Sequence, residues 1–171
     1  RGRMLSEGRT QPGANTRTMS TLEKLCVAYE QFGRALREMP ADTPEAVVRM
    51  CTDIRGFVAS ARERTPRPTP SQIAAGLEQG WREMLDMLSD VPREQRSAIA
   101  KAWFVACENA YPEFLADEER QLARVLERGK IRTEAEFYRI RHEVDALEGQ
   151  PDKQSELHRL YALIGDFESR P

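Results

Sequence analysis

From Thr21 to Phe167 the apolar residues recur at spacings of three and four, in stretches cut by proline and glycine. That period belongs to helices that bury one side, and no alternating run long enough for a strand competes with it. The last stretch, Gly129–Phe167, shows the grammar most fully. Gly129 suits the left-handed position that ends a helix. Thr133 and Glu136 stand at capping-box spacing for the next one. Two helical patterns follow, parted only by Gly149-Gln150-Pro151, which reads as a helical hairpin over about 133–168 with an aromatic seam.

The same pattern runs upstream. Ser20 and Glu23 can open a first helix, whose face carries Leu22, Leu25, Cys26, Tyr29, Phe32 and Leu36 and which Pro40 ends. Thr43 as cap and Pro44 at the first position predict a second helix. Its stripe is formed by Val47, Val48, Cys51, Ile54, Phe57, Val58 and Ala61. Alternate prolines in Arg64–Pro70 favour an extended connector. A third helix starts near Ser71, with Ile73, Leu77, Trp81, Met84 and Leu88 on one face. Gly76 and Gly80 lie inside it, each costing about 1 kcal/mol relative to alanine. Close approach of another helix is the expected compensation.

Asp90-Val91-Pro92 begins a fourth helix, and Pro112 a fifth. From Ala98 to Ala110 only Lys101, Glu108 and Asn109 are polar, and a helix apolar around most of its circumference belongs in the middle of a bundle. The predicted fold is therefore all-α: an irregular bundle of about seven helices, the fourth central, closed by the C-terminal hairpin. Residues 19–171 are read as one helical domain. Residues 1–18 are read as a flexible extension, with Met19 as an alternative natural start.

Length and composition allow one core of ordinary size. Net charge is −2, although residues 1–18 alone carry +3, and arginine supplies all but four of the 26 basic residues. The longest apolar run, Ala102–Cys107, spans six residues, against the roughly 20 that a membrane helix needs. No apolar segment follows the basic N-terminus, so the expected location is cytoplasmic. Cys26, Cys51 and Cys107 fall on apolar faces without metal spacing and read as reduced core thiols.

No phosphate loop, dinucleotide glycine pattern, nucleophile elbow or paired-cysteine motif is present, so neither catalytic residue nor cofactor is predicted. His142 and His158 could meet across the hairpin, but two histidines make an incomplete metal site. Glu30–Arg34, Glu45–Arg49 and Glu78–Arg82 have the spacing of surface ion pairs. The acidic run Asp117-Glu118-Glu119 reads as a helix start favoured by the dipole.

One pattern breaks the local rule. Arg120, Arg124 and Arg128 repeat every four residues, and Arg132 continues the basic character. Like charges at this spacing repel. Either carboxylates of the neighbouring helix, Glu134, Glu136 or Glu143, pair with them, or they meet an anionic partner. These arginines, with Phe137, Tyr138, Tyr161 and Phe167 of the hairpin, are the candidate partner-binding residues. The leading expectation is a non-enzymatic protein-interaction or regulatory module, binding another protein or itself. The alternative is an enzyme or small-ligand bundle with a pocket near Trp81, Trp103 and Tyr111. Nucleic-acid association through the arginine stripe ranks below both, because acidic residues interleave with it and the second helix of the hairpin has few basic residues to face a groove.

Overall fold

In the computed structural model the described residues are 18–40 and 42–171, and they form an all-helical bundle. The expected N-terminal extension, apart from Thr18, lies outside the described residues. Eight α-helices follow in order: α1 (Thr21–Arg37), α2 (Glu45–Thr52), α3 (Ile54–Arg62), α4 (Pro70–Met87), α5 (Arg93–Ala110), α6 (Pro112–Arg128), α7 (Glu134–Leu147) and α8 (Gln154–Glu168). A single 3-10 turn, Pro151–Lys153, leads into α8.

The eighth helix arises because the second predicted helix is two. Asp53 leaves the helical region at φ −104° and ψ 23°, and α3 restarts at Ile54. The Thr52 hydroxyl donates to the Val48 and Arg49 carbonyls at 3.0 and 3.3 Å at this break. The reason for the break is geometric. At about 100° per residue, Val48 and Ala61 would lie roughly 140° apart on a straight helix. The irregular residue resets the stripe, so that Val48, Cys51, Ile54, Val58 and Ala61 are buried, while Phe57, expected on the same stripe, faces solvent. Thr43 does not cap α2: Pro44 holds the cap position, and the buried Thr43 hydroxyl has no partner among the described residues.

Other ends follow the sequence more closely. Ser20 accepts from the Glu23 N–H at 3.2 Å, and Thr133 from that of Glu136 at 3.2 Å. Thr69 and Gln72 form a full capping box at the start of α4. Gly129 takes φ +69°, the left-handed position predicted for it.

The centre of the bundle is α1, not the fourth predicted helix. α1 packs against α2, α3, α4 and α5, and eight of its residues are buried. α5, which is that fourth helix, buries Ile99, Ala106 and Cys107, while Phe104 and Val105 face solvent. Its wide apolar circumference is thus only half used.

Two hydrophobic cores result. The first gathers α1–α5 and Phe114 of α6 around Trp81, which stacks on Trp103 at 5.3 Å. The second joins Val125, Ile131, Ile140, Val144, Leu157, Leu160, Leu163 and Ile164. α6 serves both: its first half closes one core and its second half, with the hairpin, forms the other. Close approach explains one of the two α4 glycines. A Cβ on Gly80 would meet the Tyr29 hydroxyl of α1 at 2.8 Å, whereas nothing lies within 4 Å of one on Gly76.

Candidate functional site

The arginine stripe is divided in its surroundings. Arg128 donates to Glu136 of α7 at 2.6 Å and to the Lys130 carbonyl at 2.8 Å, so the neighbouring helix supplies the carboxylate expected of it. Burial pushes the Glu136 pKa up, but the Arg132 N–H and the Arg128 guanidinium outweigh it and the net direction is down. Arg120 pairs within its own helix, with Asp117 at 3.2 Å. Arg124 and Arg132 are exposed, and neither side chain has an ion-pair partner among the described residues. The stripe is therefore not one continuous free surface.

The hairpin seam turns mostly inward. Phe137 and Phe167 stack at 5.2 Å beside the second core, and Ile140 and Ile164 are buried in it. Tyr138 and Tyr161 remain about half exposed, at 51% and 48%. The Tyr161 hydroxyl hydrogen-bonds to Glu148. Of the four candidate aromatics, Phe137 and Phe167 thus pack α7 against α8, while Tyr138 and Tyr161 lie at the surface.

Between the two cores lies a cleft of about 520 Å³, walled by α4, α6 and α7. Glu118 holds it together. Arg139 of α7 grips its carboxylate with two bonds, at 2.8 and 3.2 Å, and Arg82 of α4 donates to it at 3.0 Å. Burial raises the Glu118 pKa, but the two guanidiniums prevail and hold it below its ordinary value. A carboxylate so held is an anchor and a poor base. At the rim, His142 of α7 meets Asp86 of α4 at 2.8 Å. Ser89 and Tyr138 also border the cleft, but no hydrogen bond joins Ser89 to the imidazole. The lining alternates cations with carboxylates and presents no concentrated charge of either sign. Its geometry fixes α7 on α4 and α6.

Sequence spacing missed this arrangement. Glu118 sits past the first turn of α6, where Glu113 is the acidic residue, so the helix dipole does not account for it. Of the three surface pairs read from spacing, Glu78–Arg82 forms at 3.4 Å, while Glu30 turns to Arg55 of α3. Glu45 and Arg49 are not paired among the described residues. His142 and His158 do not converge on a metal site: no group of three or more potential ligands occurs among the described residues. All three cysteines are buried and free, and burial pushes Cys51 up to about 12 and Cys107 up to about 11, which leaves almost no thiolate at neutral pH.

The surface that stands out is the outer side of α5. Phe104 is 48% exposed and Val105 42%, at the middle of an 18-residue helix. A shallow groove of about 400 Å³, lined by Ala35 of α1 and by Ala98, Ala102 and Val105 of α5, runs beside them. The signal was present in the sequence as the apolar run Ala102–Cys107, but it pointed to the interior. No helix among the described residues is long and apolar enough to cross a membrane. Compared with known proteins, the chain matches no family model, no curated protein and no solved structure.

Proposed function

We propose that the chain is a non-enzymatic protein-interaction module and that the outer face of α5 is its docking surface. The observation that carries this reading is the exposed pair Phe104 and Val105, set in the middle of a long, well-supported helix. Apolar residues grouped on a rigid element and left uncovered are a common mark of a binding face. The groove along α1, lined by alanines together with Gln31 and Lys101, extends that face. The polar cleft gives the competing enzyme reading little help, because its central carboxylate is held ionised by two arginines.

A photo-crosslinking amino acid placed at position 104 tests the reading in the native cell. The control places the same residue at Tyr138, which is exposed but lies on α7. Discrete protein adducts from position 104 and not from 138, whether with another protein or with a second copy, are the expected result. No adduct from 104, or the same adducts from both positions, overturns it.

A further inference from the structure

We propose that the partner of the α5 face is a second copy of this chain, bound antiparallel about a two-fold axis that runs between the two α5 helices, level with the midpoint of residues 104 and 105. The inference rests on the reading of α5 as a docking surface and names the occupant. Its basis is the placement of charge around the apolar pair. At about 100° per residue, Lys101, Phe104, Val105 and Glu108 fall within roughly 100° of one another on the helix. That sector lies opposite the side where Ile99 and Ala106 are buried. Lys101 and Glu108 are both exposed, and neither has an ion-pair partner among the described residues. One is a cation about one turn before the midpoint of the pair, and the other an anion about one turn after it.

A two-fold axis makes this face complementary to itself. In an isologous contact each pairing of two different positions occurs twice. Antiparallel α5 helices centred between residues 104 and 105 bring each Lys101 opposite the partner's Glu108. Phe104 then lies against the partner's Phe104, and Val105 against the partner's Val105. A parallel arrangement would instead set Lys101 against the partner's Lys101. The face thus carries one cation and one anion at mirror positions around an apolar centre, which a second copy satisfies without any further partner. Ala98 at the edge of the face is small enough to let the helices approach.

The test is sedimentation of the full chain over a range of concentrations, for the unaltered protein, Lys101→Glu, Glu108→Lys and the double variant Lys101→Glu/Glu108→Lys. A single helix pair is a small contact, so the range should reach several hundred micromolar, about the Kd of a weak complex. The expected result is a monomer–dimer equilibrium that each single variant weakens about tenfold or more. Each places like charges opposite one another twice. The double variant restores association to within a few-fold, since it exchanges the two signs and keeps the pairing. Far-UV circular dichroism of all four should superimpose, because both side chains are exposed.

A strict monomer, single variants that associate as the parent does, or a double variant no better than the singles overturns the self-association. The two readings fail separately. A monomer whose position 104 still crosslinks to a different protein removes the second copy and leaves the docking surface. A monomer with no adduct at 104 removes both.

Discussion

The two glycines of α4 have the same cost in isolation and opposite surroundings in the fold. Alanine at either position gains about 1 kcal/mol of helix propensity. At position 76 a new methyl group meets open space, so Gly76→Ala should raise stability by up to that amount. At position 80 it meets the Tyr29 hydroxyl, which is buried and donates to the Leu77 carbonyl at 2.7 Å. The tyrosine must then move and strain or lose that bond, a loss of about 0.5–1.5 kcal/mol before any change in packing. Urea unfolding should therefore place Gly80→Ala below Gly76→Ala by about 1 kcal/mol or more. Equal midpoints for the two would show that the α1–α4 approach is looser than the structure has it. Spacing alone could pose the question of compensation for both glycines. Only the position of Tyr29 separates them.

Elements in this protein are placed by apolar stripes and locked by a few polar groups. α7 is the clearest case, since its hold on α4 and α6 runs through Glu118, Arg139, Arg82 and the His142–Asp86 contact. Glu118→Gln should cost about 1–3 kcal/mol, because it leaves two guanidiniums without their shared anion. The pH dependence has a definite sign. The Glu118 pKa is held below its ordinary value of 4.5, so its contribution is full above that value and is lost as pH falls through the folded pKa. The gap between parent and variant, measured by denaturant unfolding, should hence be widest near neutral pH and shrink as pH drops below about 4.5. A gap that stays constant down to pH 3 would mean that Glu118 is not held as an anion. The break at Asp53 belongs to the same scale. The apolar stripe of α2 and α3 was legible, but its slow drift around the helix was not read as a reason to interrupt it.

At the scale of the molecule, two cores share one helix. Trp81 lies in the first core and Trp103 packs against it, while the second core contains neither. Tryptophan fluorescence should report the first core alone, and far-UV ellipticity both. Ile140 is fully buried in the second core, and Ile140→Ala should cost that core about 2–5 kcal/mol. The expected outcome is a split: part of the ellipticity is lost at lower denaturant, before the tryptophan signal changes. Superimposed transitions by the two probes would show that α6 couples the cores into one cooperative unit. The hairpin was visible from its caps and turn, and its closure accounts for Phe137 and Phe167 of the aromatic seam. The central position given to the fourth helix was wrong because a wide apolar circumference has two causes. It can mark a helix surrounded by neighbours, or one with a buried side and an open side.

The amino-acid sequence by itself determined the helical class, most helix ends and the apolar stripe of most helices. These are local matters, set by a period of 3.6 residues, by prolines and glycines, and by side chains that reach backbone N–H groups within one turn. The tertiary structure decided which apolar sides are covered and which carboxylate meets which arginine. Glu118 finds Arg82 and Arg139 at separations of 36 and 21 residues. Such contacts depend on how whole helices are aimed by the breaks between them. For the same reason the run Ala102–Cys107 announced an apolar helix, and only the arrival of α1 and α4 on one side left Phe104 and Val105 open on the other.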